Sequence, residues 1–361
     1  MAGKYFREIF KISTFGESHG GAVGVIVDGC PSGLELSEAD IQPELDRRKP
    51  GQSDITTPRK EEDEVKILSG VFEGKTTGTP IMMLAFNKDM RPSDYGELSK
   101  LYRPSHADFT YEKKYGLRDF RGSGRASARE TLARVASGAI AKKYLKQKLN
   151  IEILSYVEQV YNIRANIDHH KIQPEDVEKN LVRCPDETKA KEMIELISKV
   201  RDEGDSVGGV IKGVIRNLPI GLGEPVFDKF SAELGKAMLS INATKGFDFG
   251  SGFDCVNFKG SEHNDEFFLS KNNQVALKTN YSGGTLGGIT TGEDVYFRVA
   301  FKPVATISKE QNTVNLNSQE IKFSAKGRHD PCVLPRAVPI VDAMSALVVM
   351  DFYLRQKSRG F

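Results

Sequence analysis

Residues 9–27, IFKISTFGESHGGAVGVIV, decide the fold, because they place two strand-like runs on either side of a glycine-rich turn. The runs Ile9 to Thr14 and Ala22 to Val27 are rich in apolar and β-branched residues, as in half-buried strands. Similar runs follow at Val65 to Phe72 and Ile81 to Phe86. Because few helices separate these runs, the sequence predicts antiparallel pairing rather than repeated parallel strand–helix–strand units.

Capping signals mark two helices in the first half of the chain. Ser37 and Asp40 have the spacing of a capping box, and Ser127 with Glu130 forms a second box, which predicts a long helix beginning at Ser127. The basic, glycine-rich segment Arg121 to Arg125 lies directly before that helix. Flexible backbone at the positive end of a helix dipole predicts an anion site there. The alternative interpretation is an ordinary flexible loop that leads into a helix cap.

The second half of the chain mixes helices and strands. An amphipathic helix is predicted from Glu187 to Glu203, and a final helix from about Val338 to Arg355. Strands are predicted at Val207 to Ile215 and at Asp294 to Lys302. No clean linker separates the two halves, and strands occur in both. We therefore expect a single α+β domain that spans residues 1–361.

The composition excludes several classes of protein. Charged residues make up 28% of the 361 residues, yet the formal net charge is only +2, so no global field recruits nucleic acid or membrane, and anion binding must be local. No apolar run approaches the roughly 18 residues of a membrane span, and no signal-peptide core is evident. Four distant cysteines suggest reduced thiols, and the adjacent His169 and His170 lie among polar residues, so no metal site is expected. We expect a cytoplasmic protein.

Two cofactor motifs can be set aside. The segment Ser69 to Thr76 resembles a phosphate-binding P-loop, but only three residues separate Gly70 from Gly74, where the motif has four. Pro80 also opposes the helix that should follow, so a hairpin turn is predicted. The chain lacks a G-x-G-x-x-G segment between a strand and a helix, which argues against a Rossmann nicotinamide site.

Three histidines occur in segments with similar punctuation. His19 lies between glycines in Phe15 to Gly20, His106 lies in Arg103 to Asp108, and the third lies in Gly-Arg-His-Asp-Pro at 327–331. Each has an acidic residue close by, and usually an arginine. This combination suits an anionic substrate whose leaving group must be protonated, at a site assembled from three distant loops. A lone histidine is more often structural, but the repeated pattern favours chemistry.

The chain resembles the chorismate synthase family over essentially its whole length. The matching segments are Phe15 to Gly20, Asp46 to Gly51, Arg103 to Asp108, Tyr115 to Asp119, Arg125 to Arg129, Gly204 to Gly209, Leu286 to Ile289 and Gly327 to Cys332. The resemblance implies a homotetramer whose subunits pack helices between antiparallel sheets, a β-α-β sandwich.

The resemblance also implies a reaction. It is the conversion of 5-enolpyruvylshikimate 3-phosphate to chorismate in the shikimate pathway of aromatic amino acid biosynthesis, a 1,4-elimination that removes phosphate from C3 and hydrogen from C6. The family requires reduced FMN although the reaction has no net redox change. NADPH is expected only as a source of reducing equivalents.

The resemblance assigns roles to individual residues. His19 would protonate the departing phosphate, His106 would protonate or stabilise the reduced flavin, and Asp330 would act as a base near the flavin N5. The substrate carries two carboxylates and a phosphate, which match arginine forks, and the implied substrate-binding residues are Arg48, Arg103, Arg129 and Arg328. The implied cofactor-binding residues are Arg125, Ala126, Ser127, Asn242, Ala243, Gly287, Lys302, Pro303, Val304, Ala305, Thr306 and Arg328.

The sequence departs from the family pattern in two places. Val304 and Ala305 stand where relatives commonly carry hydroxyl residues, so hydrogen bonds to the flavin would come from the backbone or from Thr306. Asp54 stands where a basic residue is expected, so Arg59 or Lys60 would have to compensate.

Two other functions remain as alternatives. A non-catalytic anion-binding module accounts for the arginines and glycine-rich loops, but gives no reason for His19 and His106. An NADPH-dependent flavin oxidoreductase would share the flavin site, but should carry its own nicotinamide motif.

Overall fold

Two antiparallel sheets enclose a layer of helices in the computed structural model, which describes residues 5–53, 55–57, 61–88, 96, 98–325 and 329–360. The helices are α1 (Glu38–Arg48), α2 (Asp108–Tyr115), α3 (Thr131–Leu149), α4 (Pro174–Val177), α5 (Glu187–Asp202), α6 (Phe230–Leu239), α7 (Gly260–His263) and α8 (Leu334–Ser358). The longer strands are β1 (Lys11–Gly16), β2 (Ala22–Asp28), β6 (Ile81–Phe86), β7 (Glu152–Val160), β9 (Gly209–Arg216), β10 (Thr244–Phe249) and β15 (Val295–Phe301). The shorter strands are β3 (Lys66–Ile67), β4 (Val71–Phe72), β5 (Lys75–Thr76), β8 (Ile163–Arg164), β11 (Phe267–Leu269), β12 (Val275–Leu277), β13 (Thr285–Leu286), β14 (Ile289–Thr290), β16 (Gln311–Val314) and β17 (Glu320–Phe323).

The first sheet has the strand order β1-β2-β6-β3, and every pair in it is antiparallel. Val25 of β2 lies opposite Thr14 of β1 and Met83 of β6. Val23, Val25 and Val27 are buried, as the alternation of a strand with one covered face requires, and β2 packs against α3. The predicted antiparallel pairing of the N-terminal strands is confirmed.

The second sheet has the order β10-β15-β9-β7-β8 and is also antiparallel. Its β9 and β15 correspond to the strands predicted at 207–215 and 294–302. Strands β7 and β9 pack against α8, and α3 packs against both α8 and β2. The helices therefore lie between the sheets, and the predicted α+β fold with helices packed between antiparallel sheets is confirmed.

Helix α8 is the central core helix. Its length and a mean hydropathy of 1.7 over its most apolar window would allow it to cross a membrane, but 94% of that window is buried inside the protein. The expectation that no segment is long and apolar enough to span a membrane is therefore wrong for α8, if only its length and composition are considered. Burial between α3 and the second sheet accounts for its apolar character.

The local predictions succeed where the signal is local. Asp40 accepts hydrogen bonds from the backbone N–H of Ser37 at 2.8 Å and from the Ser37 hydroxyl at 3.1 Å. Helix α1 begins at Glu38, directly after Ser37. The P-loop-like segment forms the hairpin β4-β5, as predicted.

The start of the long helix differs from the prediction. The Ser127 hydroxyl accepts from the backbone N–H of Arg129 at 3.3 Å, but a 3-10 turn precedes α3, which begins at Thr131. The reason is that the Glu130 carboxylate accepts hydrogen bonds from Thr14 at 2.8 Å and from Arg134 at 3.0 Å instead of closing the capping box.

Candidate active site

A cavity of about 590 Å³ opens where distant segments of the chain meet. Among them are the His106 loop, the segment that leads into α3, the turn after α6, the segment after β15 and the first turn of α8, and Arg48 at the end of α1 also borders the cavity. The residues predicted to bind the flavin that line this cavity are Arg125, Ala126, Asn242, Ala243, Lys302, Pro303, Val304, Ala305 and Thr306. The structure thus brings together predicted flavin-binding residues that lie up to 181 positions apart, the separation of residues 125 and 306.

Two predicted flavin-binding residues lie elsewhere. Ser127 lines an adjoining smaller cavity, and Gly287 lies in the turn between β13 and β14, away from the described cavity walls. Arg328 lies outside the described residues, as do Asp54, Arg59 and Lys60.

Hydrogen bonds fix the walls of the larger cavity. The Asn242 side-chain amide donates to the carbonyl of Ala126 at 3.0 Å, and the backbone N–H of Lys302 donates to the carbonyl of Ala243 at 2.9 Å. The Lys302 ammonium donates to the carbonyl of Ser105 at 2.9 Å, which ties the segment after β15 to the His106 loop. Burial, with a contribution from Lys245, lowers the pKa of Lys302.

The chemistry of these walls fits a flavin nucleotide. Small apolar side chains, among them Ala126, Pro303 and Ala305, offer a surface for a planar ring, and Arg125 and Lys302 offer positive charge for a phosphate. Val304 presents no hydroxyl, and its carbonyl accepts a hydrogen bond from Ser206 at 2.8 Å.

The adjoining cavity of about 160 Å³ contains a concentration of arginines. It shares Arg48, Ala128, Val304, Asp330 and Arg336 with the larger cavity, so the two are continuous. Arg129 and His329 complete its charged and titratable walls. This is the local cluster of guanidinium groups that an anionic substrate requires in a nearly neutral protein.

Asp63 holds two of these arginines. Its Oδ2 accepts from Arg48 Nη2 at 2.6 Å, and its Oδ1 accepts from Arg129 Nη1 at 2.6 Å. Burial alone would raise the pKa of Asp63, but the positive charges of Arg48 and Arg129 outweigh it and hold that pKa below its usual value. Burial lowers the pKa of Arg48 to about 10 despite the charge of Asp63. Arg48 Nε and Arg129 Nη2 are buried without a hydrogen-bond partner among the described residues, although Arg129 Nη2 lies 3.7 Å from the Glu61 carboxylate.

Asp330 is fixed as an acceptor beside these arginines. Its Oδ1 accepts from the backbone N–H of Thr57 at 2.9 Å, and its Oδ2 pairs with Arg336 Nη1. Arg336 Nε donates to the carbonyl of Arg48 at 3.2 Å. The predicted base and a predicted substrate-binding arginine therefore border the same cavity.

His106 borders both the larger cavity and another one of about 470 Å³ that Ser123 also lines. Its Nε2 lies 3.1 Å from Ser123 Oγ, and its Nδ1 lies 3.2 Å from Asp108 Oδ1. Burial raises the pKa of Asp108, but hydrogen bonds from Arg103 and His106 outweigh it and keep that pKa far below its usual value. Arg103 donates to Asp108 through Nε and Nη2 and borders none of these cavities within the described residues.

His19 is buried, 7% exposed, and does not line the cavities described above. Its ring packs so closely on Gly122 that a Cβ there would lie 2.2 Å from Nδ1. The Asn87 side-chain amide donates to the carbonyls of Glu17 and Gly20 at 3.0 and 2.7 Å, and its Oδ1 accepts from Arg129 Nε. Asn87 therefore joins the His19 loop to the arginine cluster.

Several residues that shape the site were missed by the sequence analysis: Asp63, Asn87, Arg134 and Arg336. Two of them had a signal that could have identified them. Arg134 lies four residues after Glu130 on a predicted helix, and Arg336 follows Asp330 by six residues, shortly before the predicted last helix. Asp63 and Asn87 act through contacts between distant segments.

The segment Asp168-His169-His170 brings three possible metal-ligand atoms within 4.8 Å of one another. Burial lowers the pKa of His169 to about 4, helped by the charge of Lys212. That ammonium and Arg216, which donates to the carbonyl of His169 at 2.6 Å, place positive charge where a metal cation would bind. We therefore propose no metal site at this segment.

Comparisons with known proteins agree with this architecture. The model of the family described as chorismate synthase matches residues 10–354. A chorismate synthase of Cytophaga hutchinsonii is 59% identical over 353 residues, which cover 98% of each chain, and one of Crocosphaera subtropica is 59% identical over 98% of this chain and 97% of its own. A solved crystal structure of chorismate synthase aligns with a TM-score of 0.75 at 31% identity, covering 97% of this chain and 93% of that one. The chain belongs to the chorismate synthase family and is a lyase that forms chorismate in aromatic amino acid biosynthesis.

Proposed function

We propose that the protein converts 5-enolpyruvylshikimate 3-phosphate to chorismate and phosphate with reduced FMN. The observation that carries this proposal is the arginine cluster, in which Arg48 and Arg129 share Asp63 and keep buried N–H groups without hydrogen-bond partners among the described residues. A buried donor without a partner is costly, and a carboxylate or phosphate oxygen would satisfy it. The cluster is continuous with a cavity whose walls suit a flavin.

The substrate would occupy the smaller cavity. Arg48, Arg129 and the neighbouring Arg336 would orient its anionic groups, with Arg328 as a further proposed contact. Asp330, held by Thr57 and Arg336, would serve as a base near the flavin N5. Arg103 remains a proposed substrate contact, although its donors are directed to Asp108 and Ser123.

His19 would supply the proton for the departing phosphate. Its buried ring, set by Gly122 and by the loop contacts of Asn87, favours a fixed orientation. His106, held by Asp108, would hold a proton at the edge of the larger cavity. Two histidines with separate partners can therefore perform separate proton transfers.

The larger cavity would hold the cofactor. Reduced FMN, when bound, supplies electron density to the elimination without net oxidation of substrate. The residues that would hold it are Arg125, Ala126, Ser127, Asn242, Ala243 and 302–306, with Arg328 and, from the β13-β14 turn, Gly287. NADPH is proposed only as an external source of reducing equivalents.

A homotetramer is part of the proposal. The hairpin β11-β12 exposes Phe267, Leu269 and Val275, and the 3-10 segment before α7 exposes Phe253 and Val256 at 78% and 79%. Apolar surface of this extent is typical of an interface between subunits. A cytoplasmic location and a single domain over 1–361 also remain proposals. One continuous cluster of buried apolar residues supports the single domain.

The decisive experiment measures phosphate release from 5-enolpyruvylshikimate 3-phosphate under anaerobic conditions. Turnover is expected with photoreduced FMN and not with oxidised FMN alone, and chorismate should form in equal amount. Turnover without any flavin would contradict the proposed cofactor, and no phosphate release with photoreduced FMN would contradict the proposed reaction.

A further inference from the structure

His106 is enclosed by polar contacts that include Ser123, a residue to which the proposed reaction assigns no role. Arg103 Nη2 donates to Asp108 Oδ1 at 2.7 Å and to Ser123 Oγ at 2.9 Å. Ser123 Oγ lies 3.1 Å from His106 Nε2, and His106 Nδ1 lies 3.2 Å from Asp108 Oδ1. The four side chains therefore form a closed ring of contacts.

The ring determines where the proton of a neutral His106 lies. Arg103 Nη2 has two hydrogens, and its two nearest acceptors are Asp108 and Ser123, although His106 Nδ1 is also 3.1 Å away. A bare Nδ1 could accept from Arg103 Nη2 at 3.1 Å, but it would compete with the two closer acceptors of that nitrogen and would set its lone pair against the Asp108 carboxylate oxygen at 3.2 Å, which is repulsive. The proton therefore belongs on Nδ1. Nε2 is then an acceptor, and the Ser123 hydroxyl, which already accepts from Arg103, donates to it.

The backbone of Ser123 adopts a conformation that favours glycine, so the presence of a side chain at this position calls for an explanation. Its φ is +75°, in the left-handed region that glycine adopts freely and serine adopts at a cost. Glycine would be the residue of least strain in this glycine-rich segment. The serine gives the ring its only hydroxyl, between Arg103 and His106.

We propose that Ser123 is a positioning residue for His106: its hydroxyl, oriented by Arg103, holds the neutral imidazole as the Nδ1–H tautomer with Nε2 hydrogen-bonded. Without the hydroxyl, Nε2 loses its partner, and the ring can rotate or change tautomer. The effect on turnover rests on the proposed function of His106, whereas the tautomer itself does not.

Kinetics provide the first test. Ser123→Ala and Ser123→Gly should each lower kcat about tenfold, the equivalent of one hydrogen bond, with KM within about twofold. The matched control is Ser318→Gly, which replaces another serine at positive φ (+60°), in the exposed turn between β16 and β17, and should keep full activity. Because glycine suits the backbone at 123, a merely structural serine predicts wild-type kcat for Ser123→Gly, and that result would overturn the proposal.

Imidazole ¹⁵N NMR of the full chain labelled at histidine provides the second test, and it does not depend on catalysis. The resonances of His106 are assigned by their loss in His106→Gln. The wild-type neutral ring should bear its proton on Nδ1, and Ser123→Gly should show a mixture of tautomers. A wild-type proton on Nε2, or a ratio unchanged by Ser123→Gly, would overturn the proposal. If the wild type releases no phosphate, the proposed function is contradicted. The NMR measurement still tests whether Ser123 sets the tautomer of His106.

Discussion

Asp63 organises the anion-binding part of the site, because each of its carboxylate oxygens holds one arginine at 2.6 Å. Nothing in the sequence marks it. It is one of four consecutive acidic residues at 61–64, and its left-handed backbone (φ +52°) and complete burial arise only in the folded chain. The arginines themselves belong to recognisable motifs, so sequence could identify the groups that bind anions but not the group that orients them.

Arg129→Ala should mainly weaken substrate binding. Removing Arg129 leaves Asp63 with Arg48 as its remaining arginine partner and takes one buried positive charge away from the substrate anion, at a cost of about 2–5 kcal/mol. Arg129→Lys should recover only part of the affinity, because an ammonium lacks the planar fork that also contacts Asn87. The measurement is the dissociation constant of the enolpyruvyl substrate. Arg164→Ala, at a half-exposed arginine of β8, is the control, and unchanged affinity in Arg129→Ala would remove Arg129 from the site.

His19→Ala and His106→Ala should lower kcat far more than they raise KM. General acid or base contributions are typically about 10²–10⁴-fold in rate. His263→Ala is the control. His263 is the last residue of α7, its Nε2 lies 2.7 Å from Ser251 Oγ, and it does not line the larger cavity. If both His19 and His106 variants keep near-wild-type kcat, the histidines are structural and the proposed proton transfers are wrong.

At the level of elements, the helix layer depends on a close approach between α3 and α8. A Cβ on Gly138 would lie 2.4 Å from the Cβ of Ala343 and 2.9 Å from its carbonyl oxygen. Gly138→Ala should therefore destabilise the fold by about 1–3 kcal/mol through overpacking, in spite of the better helix propensity of alanine. Urea unfolding measures the change. Gly260→Ala, where a Cβ would meet nothing within 4 Å, is the control, and equal stability of Gly138→Ala and the wild type would contradict this packing.

Acid should weaken the junction of α1, α3 and α8. Burial raises the pKa of Glu44, but the charges of Lys142 and Arg47 outweigh it and lower that pKa from 4.5 to about 2. A lowered folded-state pKa gives stability that is present above about pH 4.5 and lost as pH falls towards about 2, at most about 3 kcal/mol. The raised pKa of buried Asp342 acts in the opposite sense.

A comparison with Glu44→Gln isolates this effect. The difference in unfolding free energy between wild type and Glu44→Gln should be largest at pH 5 and should shrink as the pH approaches 2, as measured by urea unfolding at each pH. Glu192→Gln, at a half-exposed glutamate of α5, should show little difference at either pH. If the difference in unfolding free energy between wild type and Glu44→Gln does not change with pH, the ion pairs of Glu44 with Lys142 and Arg47 are not the source of the acid sensitivity.

The elements show what sequence can and cannot predict. Strand β6 has the predicted bounds, and α5 ends within one residue of the prediction, because both depend on local periodicity and turn residues. The start of α3 was misplaced because Glu130 binds Thr14, 116 positions away. Local patterns thus predict elements with strong periodicity or clear caps, but they did not predict β7, β10 or α6, and contacts between distant segments decide the details of the site.

For the whole molecule, the antiparallel sheets restrict where a nicotinamide nucleotide could bind. Every strand pair in the two large sheets is antiparallel, so the described residues contain no parallel strand–helix–strand unit of the Rossmann type. The proposed flavin and substrate sites occupy the cavities of about 590 and 160 Å³, and the further cavity of about 470 Å³ beside His106 is not formed by a parallel strand–helix–strand unit. The architecture therefore favours an enzyme that receives reduced flavin from outside.

We accordingly expect the protein to reduce FMN with NADPH poorly or not at all. The test compares anaerobic turnover of the purified protein on photoreduced FMN with turnover on NADPH plus oxidised FMN. The first should proceed, and the second should be slower by at least about 100-fold, because hydride transfer requires the two rings to be held in contact and no dedicated fold motif holds the nicotinamide. Adding a separate flavin reductase to the second assay should restore turnover, which controls for inhibition by NADPH. Comparable rates without the reductase would make the enzyme bifunctional and would place a nicotinamide site on an antiparallel scaffold.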